Sequence, residues 1–315
     1  MIKTRLICFI ASCLLFTGIK AQQEIVLSPQ WTAQAQFAGY YVADAMGFYK
    51  KAGLKVAIKH TSVSNACINR LKSGKSQYIT LQLMSAMKYI DEGTPLVNVL
   101  QTSQQNSLVI VSRQPLKGVE SLRGKKIGHW KVGFSELAFT LDRQYKLGIQ
   151  WVPFLSNINL YISGAIDATL AMNYNEFYQL KEAGQRLKDE QLLYFRDIGY
   201  NIPEDGLYVS RDYYRTHRQE VEKFAQATRE GWEWAVNHPE ETLDIVMQYI
   251  RQNGVATNMG AQRWMLYEIC EMLKDFKTGR RTYHLDEKAL EQANSILIEN
   301  GIIKRSISYN QMTQP

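Results

Sequence analysis

Apolar positions along this chain switch repeatedly between two spacings. Residues 24–27 form a short apolar run that reads as a strand. Helical spacing follows over 37–50 and stops at Gly53, a residue that tolerates the left-handed backbone at a helix end. Leu54, Val56 and Ile58 then alternate with Lys55 and Lys59, which predicts a strand with one wetter face. Helical segments are predicted at 66–72 and 85–90, closed by Gly74 and Gly93, with extended runs at 78–83 and 97–100. This β-α-β alternation predicts a parallel, doubly wound sheet.

A second alternating set begins with the apolar run 107–111. Turn-rich residues 113–124 lead to a strand at 125–130, a helix at 135–146 and a short strand at 151–153. Helix 157–163, strand 168–171, helix 175–183 and strand 192–195 complete it. Beyond Asp205 the texture changes. One strand at 206–210 is followed by helices at 219–237, 240–252, 262–274 and 287–300. Trp232, Trp234 and Trp264 on these helices read as core or buttress, and Pro239 suits a helix start. Two α/β sets with one late return strand imply two lobes, the first built from both ends of the mature chain. The expected division is a signal peptide at 1–21, lobe 1 at 22–110 and 205–315, and lobe 2 at 111–204.

The first 21 residues are set apart by their own pattern. Two positive charges precede an apolar run over 6–16, and Ala21 offers a small residue before Gln22, the layout of a secretory signal. The sequence around Cys13 also resembles a lipoprotein box, but the apolar run continues past it, so cleavage is the favoured reading and a lipid anchor the lesser one. Removing Lys3, Arg5 and Lys20 leaves 34 basic against 30 acidic residues. That balance is too mild to imply nucleic acid. Cys8 and Cys13 would leave with the signal, and the remaining Cys67 and Cys270 read as buried small apolar residues rather than a bridge.

In open α/β sheets ligands gather beyond the carboxyl ends of the strands. Those ends carry Trp31, Gln34, Gln36 and Phe37 after the first strand, Gln82 after the third, and Gln104 after the fourth. In the second set they carry Trp130, Tyr174 and Glu176. Rings, amides and one carboxylate would stack a flat heterocycle and bind its edge. Each has a plainer role open to it. Phe37 can pack into the sheet, Gln82 and Gln104 can hold loops, and Glu176 can simply favour a helix start. The candidate ligand-binding set is Trp31, Gln36, Phe37, Gln82, Gln104, Trp130, Tyr174 and Glu176.

Arguments for catalysis are missing. His60, His129, His217, His238 and His284 show no metal-ligand spacing, and the run from Gly133 to Glu136 lacks the closing glycine of a nucleophile elbow. Neither a phosphate loop nor a dinucleotide fingerprint follows a strand. No catalytic residue, metal or cofactor is therefore expected.

With these pieces in order, the mature chain resembles the SsuA/THI5-like (NMT1/THI5) family of periplasmic solute-binding proteins. The likeness rests on Gly39-Tyr40-Tyr41-Val42-Ala43, Gly47-Phe48-Tyr49 and Gly53-Leu54-Lys55-Val56. It continues in the run from Ser121 to Gly128, in Ser163-Gly164-Ala165-Ile166-Asp167-Ala168, in Tyr174-Asn175-Glu176 and in His238-Pro239-Glu240-Glu241-Thr242. The resemblance implies a type II periplasmic-binding-protein fold, α/β, with two doubly wound lobes, a hinge and a helical C-terminal part. It implies a monomeric, periplasmic protein that delivers a small ligand to the permease and ATPase of an ABC transporter. Near relatives bind thiamine-pathway pyrimidines, so Trp31 and Tyr174 would flank a ring and Glu176 would take its amino edge. Where pyrimidine binders often have a proline-asparagine pair and a histidine, this chain has Ala33-Gln34 and Phe37. The alternatives are a binding protein that signals to a membrane receptor and a pyrimidine synthase of the THI5 type. The latter carries a cysteine-rich run that is missing here.

Overall fold

The structure is a computed structural model that describes residues 24–61, 66–131, 134–155 and 158–313. The expected signal segment, with Cys8 and Cys13, lies outside the described residues, as does Gly133.

The first sheet begins with β1 (Ile25–Ser28), followed by helices α1 (Ala38–Ala45) and α2 (Phe48–Lys51). Then come β2 (Val56–Ile58), α3 (Cys67–Lys72), β3 (Tyr78–Gln82), α4 (Leu83–Asp91) and β4 (Leu96–Gln101). The single helix expected over 37–50 is two helices. Gly47 adopts φ 73°, which ends α1 and starts α2, so the chain turns there and not only at Gly53.

The second sheet is built from β5 (Leu108–Ser112), β6 (Lys126–Trp130), α5 (Glu136–Tyr145), β7 (Gln150–Phe154) and α6 (Asn159–Ile162). It continues with β8 (Ala168–Met172), α7 (Glu176–Glu182) and β9 (Leu192–Tyr194). The chain then returns to the first sheet as β10 (Asp205–Ser210). Six helices complete it: α8 (Arg211–Thr216), α9 (Arg218–Asn237), α10 (Pro239–Gln252), α11 (Met259–Met272), α12 (Glu287–Glu299) and α13 (Tyr309–Thr313). The sequence pattern did not reveal α8, whose start is capped by Ser210 accepting from the Tyr213 amide at 3.1 Å.

Strand order is β2-β1-β3-β10-β4 in one sheet and β7-β6-β8-β5-β9 in the other. The two orders are equivalent, with the strand that arrives from the other lobe in the fourth place. Neither sheet is purely parallel. β10 runs antiparallel to β3 and β4, and β5 runs antiparallel to β8 and β9. Each of these strands enters its sheet from the crossing side, so it starts at the edge where the parallel strands finish. Because β5 begins at Leu108 in the second sheet, the crossing falls at 102–107, a few residues before the expected boundary at 110.

The two crossing segments are laced together. The amides of Thr102 and Ser103 donate to the Asp205 carbonyl at 3.1 and 2.9 Å. The Ser107 amide donates to the Glu204 carboxylate at 2.6 Å, and the Glu204 amide donates to Ser103 Oγ at 2.7 Å. Outside the first sheet, α1 and α9 pack at very short range. A Cβ on Gly231 would lie 2.2 Å from the Gly39 carbonyl oxygen, and one on Gly39 would lie 2.2 Å from the Trp232 ring. This contact fixes α1, and with it the loop of residues 29–37 that leads into the site. Cys67 and Cys270 are free thiols.

Candidate functional site

A cavity of about 40 Å³ lies between the lobes, lined by Gln30, Trp31, Gln34 and Gln36 from one side and Trp130, Phe134, Tyr174 and Glu176 among others from the second. The five residues Trp31, Gln36, Trp130, Tyr174 and Glu176, drawn from distant stretches of sequence, thus share one wall. A second space of about 20 Å³ holds Gln82 with Phe134, Met172 and Glu204. Phe134 and Met172 line both, so the two spaces adjoin. Phe37 and Gln104, expected among the ligand contacts, line neither. Phe37 is buried in the core against the His60 ring, 5.6 Å between centroids. Gln104 Nε2 donates to the Gln101 carbonyl and its Oε1 accepts from Thr282, which holds the crossing loop to the C-terminal region.

The loop after β1 is held from behind. A carbonyl only accepts, so His60 Nδ1–H donates to the Trp31 carbonyl at 2.8 Å, and His60 Nε2 accepts from the Tyr41 hydroxyl at 2.7 Å. Burial lowers its pKa to about 4, so near pH 7 the imidazole is neutral and Nε2 is free to accept. Trp31 meets Phe134 edge-on at 6.4 Å, and Phe134 meets Trp130 edge-on at 6.0 Å. Phe134 thus stands between the tryptophans of the two lobes. Its backbone has φ 65°, the left-handed region that a bulky side chain seldom adopts.

Glu176 is the first residue of α7 and is buried. Its carboxylate accepts from Trp130 Nε1 at 3.3 Å, the Met172 amide at 3.0 Å and Asn175 Nδ2 at 3.1 Å. Burial raises its pKa, and these donors pull it back down. Two further buried acids stand at the crossing. Burial raises Glu204 to about 8 and Asp205 to about 6. Each accepts hydrogen bonds: Glu204 from Ser107, Asp205 from Gln30 at 2.7 Å and Gln36 at 2.6 Å. The Tyr174 hydroxyl is held well above its ordinary pKa by burial and by all three carboxylates. The eight ion pairs among the described residues include none of these three acids, and no cluster suited to a metal ion occurs among those residues.

Strand-end reasoning missed Glu204 and Asp205 because they stand at the beginning of a strand, not beyond its end. β10 runs antiparallel, so its first residue, Asp205, pairs with Gln82 at the end of β3. The available signal was two consecutive acids where the return strand begins. Phe134 and Met172 gave no signal separable from ordinary core residues. α11 closes over the second lobe, where Trp264 stacks on Tyr178 at 5.4 Å and donates to the Asn173 carbonyl at 2.9 Å.

Two α/β lobes of equivalent strand order, joined by paired crossings around an acid-lined cavity, define a periplasmic-binding-protein fold. The solved structure of the aliphatic sulphonate binding protein SsuA from Escherichia coli superposes on it with a TM-score of 0.68, covering 94% of this chain and 93% of that one at 13% identity. The family model for NMT1/THI5-like proteins matches residues 34–242, and the chain belongs to that family. Among curated relatives, the riboflavin-binding protein RibY of Chloroflexus aurantiacus is 23% identical over 78% of this chain and 72% of its own length. The formylaminopyrimidine-binding protein of Halalkalibacterium halodurans is 23% identical over 76% of each chain. No helix among the described residues is long and apolar enough to cross a membrane.

Proposed function

We propose that this protein is a monomeric, extracytoplasmic solute-binding protein that captures a small nitrogen heterocycle between its lobes and passes it to an ABC permease, without catalysis. The observation that carries this reading is the shared cavity: rings from both lobes and a buried carboxylate converge on it. A ligand that touches both lobes favours the closed form, which is the signal a permease needs. Space for roughly three waters is too little for a ring, so a ligand enters when the lobes part and the side chains between them yield.

The ligand class follows from the wall. Glu176, the acid on this wall, has no ion-pair partner among the described residues and disfavours an anion beside it, so the SsuA-like fold here is read without SsuA's sulphonate. Aromatic rings with hydrogen-bond acceptors suit an amino-substituted ring, in line with the binding roles named for the two relatives. Thermal-shift and calorimetric titration against aminopyrimidines, thiamine, riboflavin, polyamines and alkanesulphonates tests this. Stabilisation by a heterocycle supports the reading. Stabilisation by sulphonates alone overturns the ligand class, and a chemically altered ligand recovered after incubation overturns the binding role.

A further inference from the structure

Helix α11 holds both walls of the cavity without lining it. On the lobe 1 side, Gln262 Oε1 accepts from the Ala35 amide at 2.8 Å, between the cavity residues Gln34 and Gln36. On the lobe 2 side, Trp264 Nε1 donates to the Asn173 carbonyl at 2.9 Å, and Asn173 Nδ2 donates to the Glu268 carboxylate. Asn173 directly precedes Tyr174, so α11 reaches the second wall through one residue. At the other end of the helix, the Gln104 amide of the crossing donates to the Met272 carbonyl at 2.7 Å.

The grip on lobe 2 extends along α7, the helix that Glu176 opens. Trp264 stacks on Tyr178, Lys181 Nζ lies 4.6 Å from the centre of a Trp264 ring, and Asn258 Nδ2 donates to Glu182 at 3.0 Å. Tyr178, Lys181 and Glu182 share one face of α7 by their spacing. Among the described residues, Trp264 is the one lobe 1 side chain packed against an apolar cluster whose other members all lie between Val109 and Tyr194. The body of α11 belongs to lobe 1. It packs on α10, and its buried Met265, Leu266 and Ile269 share a core cluster with Val246 and Ile250 of that helix. Parting the lobes therefore pulls Trp264 away from lobe 2 while α11 stays with α10.

We propose that Trp264 is a positioning residue that latches the lobes: through Asn173 and α7 it favours the closed form before any ligand binds, and so raises affinity for every ligand alike. The effect on affinity rests on the reading of the cavity as the ligand site; the effect on closure does not. A latch that touches no ligand changes only the fraction of protein competent to hold one, and apparent affinity scales with that fraction. Losing the stacked ring, its cation contact and the hydrogen bond to Asn173 shifts the closing equilibrium by about 10- to 100-fold.

Small-angle X-ray scattering of ligand-free wild type and Trp264→Ala reads lobe separation with no ligand at all. The variant is expected to show the larger radius of gyration. Calorimetric titration of 4-amino-2-methylpyrimidine and thiamine should show both affinities falling by one common factor, of at least about threefold. A radius of gyration equal to that of the wild type overturns the latch. Unequal losses overturn it too, since Trp264 would then shape the cavity, and tighter binding would mean that these contacts hold the lobes apart. Should Trp264→Ala fail to fold, Trp264→Phe keeps a ring against Tyr178 without the N–H, and Glu268→Ala releases the Asn173 side chain. Each is expected to open the lobes in the same sense and by less, and an unchanged radius in both overturns the proposal. A wild type that binds no heterocycle removes the ligand reading, while the scattering comparison still decides the latch.

Discussion

Trp31 and Glu176 stand on different lobes and line one cavity, although 145 positions separate them in sequence. The acid is buried and already holds three donors, one of them the Trp130 indole. A ligand donor that reaches it would form a charge-assisted bond shielded from water. Glu176→Ala is therefore expected to weaken binding by about 10- to 100-fold. Glu240 is a fair control: it is exposed and pairs with exposed Arg263 at 2.7 Å. Glu240→Ala should change affinity by less than about twofold. Calorimetry giving equal affinities for the two variants would remove Glu176 from the site.

Glu204 makes a separate claim about pH. Burial holds its folded pKa at about 8 against an ordinary value of 4.5. Between those values the folded chain keeps a proton that the unfolded chain has released, so stability falls as pH rises. Asp205 acts in the same sense, but only from 3.8 to about 6. Neutral His60 acts oppositely between about 4 and 6.5, since there the unfolded chain binds the proton. The window from 6.5 to 8 is thus governed by Glu204 among these three. Denaturant unfolding should show stability declining across it, with a limiting slope of about 1.4 kcal/mol per pH unit. Glu204→Gln should flatten that decline. An unaltered slope in the variant would place the titration elsewhere.

The packing of α1 on α9 predicts a large effect from one methyl group. Alanine normally improves a helix interior over glycine by about 1 kcal/mol. At Gly231 the added carbon would meet the Gly39 carbonyl oxygen at 2.2 Å and Ala43 Cβ at 2.8 Å. Backbone cannot yield as a side-chain tip can, so the clash wins. Gly231→Ala is expected to destabilise by about 2 kcal/mol or more, read from the denaturation midpoint. It should also weaken ligand binding, because α1 anchors the loop that carries Gln34 and Gln36. A variant as stable as wild type would show that the two helices can separate freely.

How far the sequence revealed this arrangement depended on strand direction. The rule that ligands gather at carboxyl ends picked out Trp31, Trp130, Tyr174 and Glu176, which end or follow strands with a parallel neighbour and line the cavity. It could not locate Asp205, because antiparallel β10 brings its beginning to that edge. Phe37 sits in the right loop, yet a helical turn directs it into the core, a difference of side-chain direction that loop membership cannot encode. Gln104 follows a strand that leads into the crossing, so its amide serves the hinge. The break at Gly47 was as legible as the one at Gly53; helical spacing on both sides of it concealed the turn.

Phe134 offers the last prediction. Its ring stands between Trp31 and Trp130, edge-on to both, where a stacked ligand would compete with it. Its left-handed backbone costs on the order of 1 kcal/mol, which glycine would not incur. Phe134→Gly therefore relieves strain while removing a half-buried ring, and the two effects on stability partly offset. The effect on recognition has a definite sign. Removing the ring leaves more room between the tryptophans, so larger ring systems should gain over smaller ones. The ratio of riboflavin to aminopyrimidine affinity should rise by about 3- to 10-fold, the worth of one aromatic contact. Paired titrations of wild type and variant measure that ratio directly. A ratio that stays level or falls would mean that Phe134 yields no space to a ligand, and that the rings of the two lobes meet only to close the fold.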